Sequence, residues 1–290
     1  MLKTVGTMKS LLGKPVAESI QNEVKERALR FTQKNGYPPK LVVVLVGEDP
    51  ASVIYTRKKG EMALSLGLAH ETLCLPTTIS PEKMKGLVSQ LNQDPKVHGI
   101  LIQRPLPKAI KEEEVLFWIS PEKDVDAFHP LNAGKLFLGL PGLQPCTPAG
   151  IMELLKYYKI YPAGKLACII GRSSIVGKPM ASLLLKANAT VIQCHSQTSD
   201  LKSITRQADL LVVAAGRPGL VDASYVKKRA VVIDVGIHRN SNGKISGDVI
   251  HDEVAAVASA ITPVPGGIGP MTIALLMKNT LAAAESLSSS

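Results

Sequence analysis

A chain of 290 residues, 45% hydrophobic and 20% charged, carries enough apolar surface for about two packed domains, and no apolar run approaches the roughly 20 residues of a membrane span. The 34 basic residues outnumber the 24 acidic ones for a net charge of +10. Yet the clusters Arg57-Lys58-Lys59 and Lys227-Lys228-Arg229 are short and lack interleaved aromatics, which argues against nucleic acid and reads most of the charge as solvated surface; the milder functional reading is a preference for anionic small molecules such as phosphates and carboxylates.

Cys74, Cys146, Cys168 and Cys194 show no C-x-x-C spacing, and the six histidines are scattered. Reduced, buried thiols and no metal site are expected, in a cytoplasmic protein. Lys3, Lys9 and Lys14 precede any acid, but without arginine or an apolar signal segment they make a poor presequence.

From Lys14 to Asn35 the stripe Val16, Ile20, Val24, Ala28 and Phe31 predicts a helix, stopped by Gly36 and Pro38-Pro39. Leu41–Val46 is an unbroken apolar run, as a strand covered on both faces requires. After Gly47-Glu48-Asp49-Pro50 a second helix runs from about Ala51 to Leu66. On it Ser52, Tyr55 and Lys59 lie at i, i+3 and i+7 and share one face. That face reads equally as a half-buried stripe or as a hydroxyl, a phenol and an amine aimed together into a cleft.

Ala69–Leu75 reads as a strand, and Ser80-Pro81 caps a helix with stripe Met84, Leu87, Val88 and Leu91. The strand Val97–Ile102 runs into Gln103-Arg104-Pro105-Leu106-Pro107, a rigid loop at a strand's carboxyl end, where α/β proteins place ligands. A short helix over Lys111–Ile119 carries Trp118, expected in the core. Asp124 and Asp126 follow in an irregular segment, where acids often just cap turns. Thr147-Pro148 starts a helix from Ala149 to Tyr158 that leads into a second domain.

There the order of elements is strand (Leu166–Ile170), Gly-bearing turn (Gly171 to Gly177), then helix (Pro179–Leu185), the order that makes a dinucleotide site in doubly wound α/β domains. Strands at Thr190–Cys194, Asp209–Ala214 and Ala230–Val235 continue a parallel pattern, and Asn240-Ser241-Asn242-Gly243 reads as a hairpin turn. NAD sites carry an acid about 20 residues beyond the turn; here stand Cys194-His195-Ser196, and Arg172 lies in the turn where it can meet a 2′-phosphate. Both features favour NADP. Last, Ile261–Thr272 packs three prolines and three glycines between a strand and an Ala/Leu-rich helix reaching about Glu285.

Six motifs now stand in order: Tyr55-x-x-x-Lys59, Gln103-x-Pro-Leu-Pro107, Pro121-Glu-Lys-Asp-Val-Asp126, Pro145-Cys-Thr-Pro148, Gly171-Arg-Ser-x-Ile-Val-Gly177-x-Pro179 and Pro263-Val-Pro-Gly-Gly-x-Gly-Pro-Met-Thr272. With them the chain resembles, over essentially its whole length, the bifunctional methylenetetrahydrofolate dehydrogenase/methenyltetrahydrofolate cyclohydrolase family. The resemblance implies a two-domain α/β protein: a catalytic domain over residues 1–148, completed by a C-terminal helix over 270–287, and a Rossmann-like NADP domain over 149–269. It implies a folate cleft between them and a homodimer. It also implies Lys59 as acid/base of the cyclohydrolase step, Tyr55 and Gln103 positioning it and the substrate, and Asp126 holding the pterin. Ser52, Pro265, Gly266, Gly267 and Thr272 would complete the substrate site, and Gly171, Arg172, Ser173, Ile175, Val176, Ser196 and Ile237 the cofactor site. Two positions depart from the family pattern: Arg104, usually Leu, and Ala127, usually Gly, where the backbone needs φ > 0. They keep open a folate- or nucleotide-binding protein without turnover; the other enzyme readings are a dehydrogenase without the hydrolytic step or another NADP-linked α/β oxidoreductase.

Overall fold

A computed structural model describes residues 8–239 and 243–289. In chain order the first elements are β1 (Lys9–Ser10), α1 (Gly13–Asn35), β2 (Lys40–Val46), α2 (Pro50–Ser65), β3 (Ala69–Leu75), α3 (Pro81–Gln93), β4 (Gly99–Ile102), α4 (Glu112–Val115), α5 (Pro130–Phe137) and α6 (Cys146–Tyr157). Then come β5 (Leu166–Ile170), α7 (Gly177–Lys186), β6 (Thr190–Cys194), α8 (Leu201–Thr205), β7 (Leu210–Val213) and β8 (Val231–Asp234). The chain closes with β9 (His238–Arg239), β10 (Ile245–Ser246), α9 (His251–Ala255), β11 (Ala260–Ile261) and α10 (Gly269–Leu287). Among the described residues no helix is long and apolar enough to cross a membrane.

The chain divides into two compact units, each discontinuous in sequence. One joins residues 18–146 to the chain end from 273 and is built on the parallel sheet β3-β2-β4. Every residue of Leu41–Val46 is at most 5% exposed, as its unbroken apolar pattern requires of a central strand with both faces covered. Met84 and Val88 of α3 pack with Val42, Val44 and Ile100 on one of those faces. Two local signals set where its helices begin: Asp49 accepts the Ser52 N–H at 2.8 Å ahead of α2, and Ser80 Oγ accepts the Lys83 N–H ahead of α3.

The other unit joins the chain start through Ala17 to residues 147–272. Its sheet has the order β1-β11-β8-β7-β5-β6, parallel throughout, with Cys168, Ile170, Leu211, Val213 and Val232 in its core. The sequence boundary at 148/149 puts the chain start with the other half. The structure instead gives residues up to 17 to the six-stranded unit, because β1 hydrogen-bonds beside β11, with Lys9 N–H on Ser259 O at 2.9 Å and Leu11 N–H on Ile261 O at 2.8 Å.

Other differences are local. The helix expected over Lys111–Ile119 is α-helical only at Glu112–Val115, and Trp118 is half-buried. The helix expected from Ala149 already starts at Cys146. Cys74, on the edge strand β3, is exposed, while Cys146, Cys168 and Cys194 are buried and free. Of the expected hairpin turn, Asn240, Ser241 and Asn242 lie outside the described residues; the flanking β9 and β10 pair antiparallel.

Candidate active site

In the three-stranded unit the chemistry gathers where β4 ends and α2 passes. Lys59 Nζ donates to Gln103 Oε1 at 2.8 Å, and Gln103 Nε2 donates to Arg104 O at 2.8 Å. The second bond fixes which end of the amide faces the lysine: its oxygen must, since its nitrogen is used. Lys59 is half-buried, and burial lowers its pKa from the ordinary lysine value, against the opposing pull of Asp126 and Cys146.

Asp124 and Asp126 part company. Asp124 is buried and accepts the His129 N–H at 2.7 Å and Asn132 Nδ2 at 3.1 Å, so it ties its own loop to the start of α5. Asp126 accepts no hydrogen bond among the described residues. Burial pushes its carboxyl up to about 6; the Lys59 charge pulls down, Asp124 pushes up and Arg104 pulls down. An amine eased toward neutrality thus shares a site with a carboxylate raised toward it, the signature of groups placed for proton transfer or ligand contact rather than for stability.

The face proposed for Ser52, Tyr55 and Lys59 splits in the same way. Ser52 is buried, its hydroxyl donating to Asp49 Oδ2 at 2.8 Å and within 3.2 Å of Arg104 O, so it serves the helix start and the Gln103 loop. Tyr55 is 48% exposed and its hydroxyl holds no hydrogen bond among the described residues. Arg104 lies 3.2 Å from Glu112, stacks 5.6 Å over Phe128, and lines one small cavity with Asp124, Asp126 and His129. Ala127 adopts φ +59°, the left-handed conformation that a glycine would take without strain.

Two contributors lie outside the expected site residues, although Cys146 stands in the motif Pro145-Cys-Thr-Pro148. Cys146 is buried next to the Lys59 and Asp126 charges, and its thiol pKa is raised well above normal by burial. Asn279 of α10 donates at 2.8 Å to both Val125 O and Gln144 O and lies 3.7 Å from Cys146 Sγ. It pins the backbone on either side of the site. Asn279 stands 153 positions beyond Asp126 in an Ala/Leu-rich stretch with no local pattern to mark it. A buried amide in an apolar helix is the one signal available, and only burial reveals it.

In the six-stranded unit the strand-turn-helix order is realised as β5, Gly171–Val176 and α7. Gly171 has φ +135°, and a Cβ there would meet Ala214 O at 2.3 Å, so only glycine lets β5 turn beside β7. Ser173 Oγ accepts the Val176 and Gly177 N–H groups and starts α7. Arg172 and Ser196 are exposed, as are the apolar side chains of Ile175 (39%) and Ile237 (57%), all at the carboxyl ends of strands where such folds take ligands. The Pro265-Gly266-Gly267 segment belongs to this same unit, held by Gly267 N–H on Pro263 O and Gly13 N–H on Gly266 O, and Thr272 Oγ1 lies 3.3 Å from Thr147 Oγ1.

Buried carboxylates brace the loops beside this turn. Asp248 Oδ2 accepts the Ala215 and Gly216 N–H groups, and its Oδ1 lies 2.6 Å from His238 Nε2. Asp234 takes the N–H groups of Gly236, Asp248 and Val249, and burial still raises its carboxyl to about 6.

Comparison with known proteins decides the family. Residues 11–126 match the model of the tetrahydrofolate dehydrogenase/cyclohydrolase catalytic domain, and residues 145–288 that of the same family's NAD(P)-binding domain. The chain belongs to this family. It is 53% identical over 273 residues to the bifunctional protein FolD of Ligilactobacillus salivarius, covering 94% of this chain and 95% of the relative. The bifunctional methylenetetrahydrofolate dehydrogenase/cyclohydrolase FolD of Campylobacter jejuni superposes with a TM-score of 0.94 at 47% identity, covering 97% of this chain and 99% of that one. The FolD of Trypanosoma brucei, solved with NADP cofactor and an inhibitor, gives 0.92 at 35% identity, covering 98% and 99%. Among the family's dehydrogenase/cyclohydrolases, then, the chain matches in both domains and through the whole fold.

Proposed function

We propose that this chain oxidises 5,10-methylenetetrahydrofolate to the 5,10-methenyl form with NADP and hydrolyses the product to 10-formyltetrahydrofolate. The observation that carries the proposal is the desolvated Lys59 amine, held on Gln103 beside the raised carboxyl of Asp126.

NADP, when bound, accepts the hydride from the methylene carbon. The six-stranded unit suits it: Gly171 makes the turn, Ser173 starts the helix, Arg172 is free to meet a 2′-phosphate, no acid occupies 194–196, and Ile175 and Ile237 offer apolar surface. Hydride loss is driven by the substrate's own nitrogen lone pair, so the chain supplies alignment and no acid or base.

Hydrolysis does need a proton carrier. Lys59 Nζ takes the proton of the water that adds to the methenyl carbon and returns it to the nitrogen that leaves as the ring opens. Gln103 aims the amine, Asp126 accepts from the donor edge of the pterin, and Tyr55, with its hydroxyl unengaged, contacts the substrate. Pro265, Gly266, Gly267 and Thr272 line the folate site, in a homodimer working in the cytoplasm; these assignments rest on the family resemblance. Incubating the protein with methylenetetrahydrofolate and NADP or NAD tests the whole reading: reduced cofactor, then a methenyl intermediate, then formyl product are expected. Reduced cofactor without formyl product would leave a dehydrogenase alone, and the absence of both would overturn the proposal.

A further inference from the structure

The six-stranded unit has a second concave site, at the opposite end of its sheet from the Gly171 turn. A cavity of about 550 Å³ opens where β5, β7 and β8 begin. Gly171 follows the far end of β5, roughly 16 Å away along five residues of strand. The cavity lies within the range of about 300–1,000 Å³ typical of small-molecule sites.

Its lining is strongly cationic: Lys159, Lys165, Lys227, Lys228 and Arg229 against one carboxylate, Asp209. Asp209 does not balance them, because both its oxygens are engaged, Oδ1 by Lys227 Nζ at 2.7 Å and Oδ2 by the Leu166 N–H at 3.0 Å. Lys227 accordingly holds that carboxyl below the usual range. Among the described residues no side-chain hydrogen bond or ion pair holds Lys159, Lys228 or Arg229. Several of the rim's backbone donors are spent as well: Asp209 N–H goes to Leu166 O, Arg229 N–H to Val257 O and Val231 N–H to Asp209 O. An anion here is met chiefly by the lysine and arginine side chains.

Two of those cations stand where a side chain is costly. Lys159 has φ +59° and Arg229 φ +69°, left-handed conformations that glycine adopts without strain. Lys159 stands at the C-terminal cap of α6, where it and Lys156 both gain modestly from the helix dipole. Among the described residues no side-chain hydrogen bond or ion pair repays either side chain, which is the pattern of residues kept for a ligand. The remaining wall is Tyr161, 66% exposed, with Ile160 and Pro162 beside it. One exposed ring facing a cluster of cations suits one base and its phosphates; a single strand of nucleic acid would call for a series of stacking rings.

We propose that this cavity binds a nucleoside polyphosphate, with the phosphates among Lys159, Lys228 and Arg229 and the base against Tyr161. The test is calorimetric titration of the full chain with ATP and, separately, with inorganic tripolyphosphate. Both should bind, ATP more tightly. Lys228→Ala combined with Arg229→Gly should weaken both at least tenfold, and Arg229→Gly relieves strain, so folding should survive; Lys228→Gln alone should weaken both severalfold. Tyr161→Ala should weaken ATP severalfold and leave tripolyphosphate unchanged. Dehydrogenase rates of these variants should stay within twofold of the parent. Absence of binding, or binding lost in Arg172→Ala and untouched by the cavity variants, would overturn the proposal in favour of the cofactor turn. Binding of a short single-stranded oligonucleotide without ATP binding would overturn it in favour of nucleic acid.

Discussion

Lys59 has one hydrogen-bond partner, Gln103, and that leaves two of its N–H directions unused by any protein acceptor among the described residues. Lys59→Met keeps most of the stem and removes the amine. The cyclohydrolase rate should drop by ~10²–10⁴-fold while the dehydrogenase rate falls much less and methenyl product accumulates. Equal loss of both activities in a folded variant would make Lys59 a positioning group. Asp126 gives a pH signature. Its carboxyl titrates near 6 in the folded protein, so the ionised acceptor is depleted as pH falls through that value, and the folate KM should rise there. Arg104 pulls that value down; Arg104→Leu therefore should move the break in KM to higher pH, and an unmoved break would detach Arg104 from the site. The methyl of Ala127 is tolerable for a reason of magnitude: left-handed strain of about 1–2 kcal/mol is partly offset by burying a methyl worth about 0.8 kcal/mol.

At the scale of elements, α10 and the β5–α7 turn carry the arrangement. Asn279 on α10 satisfies two buried carbonyls, Val125 O and Gln144 O, on either side of the site. Asn279→Ala leaves Gln144 O without its side-chain donor and Val125 O with only the weak Cys146 thiol at 3.7 Å, a loss of about 1–3 kcal/mol for a buried polar group. Thermal unfolding should register that loss, and both activities should decline together because the Asp126 loop is released; a stable variant with normal rates would refute the anchoring role. In the turn between β5 and α7, Arg172 is exposed and no acid follows β6. Arg172→Ala should therefore weaken NADP far more than NAD in direct binding measurements, and equal losses would exclude a 2′-phosphate contact.

For the molecule as a whole, both compact units are closed by chain segments remote in sequence. The three-stranded unit needs the chain beyond 272, where Leu275, Leu276, Met277, Leu281 and Ala284 are at most 3% exposed and Arg27 pairs with Glu285. A chain ending at Thr272 should thus lose the cooperative unfolding of that unit and all cyclohydrolase activity. NADP binding should persist, since the six-stranded unit keeps its strands and turn. A truncated protein that melts like the parent would show that α10 is dispensable.

The sequence by itself determined the long elements. Unbroken apolar runs such as Leu41–Val46 read as strands covered on both faces, the stripe Val16–Phe31 as a helix, and Gly171 to Gly177 as a Gly-bearing turn between strand and helix. It also determined which residue types stand at the site, since six ordered motifs name Lys59, Gln103 and Asp126 directly. Tertiary structure decided what periodicity does not encode. The two-residue strands β1 and β11 exist only because they pair with a neighbour, so no local pattern announces them, and β1 is what carries residues up to 17 into the six-stranded unit. Asp124 and Asp126 look alike two positions apart; only burial and hydrogen bonding make one a brace and leave the other open to a ligand. Asn279 reaches the site through packing across more than a hundred residues, a contact that spacing along a chain has no means to record.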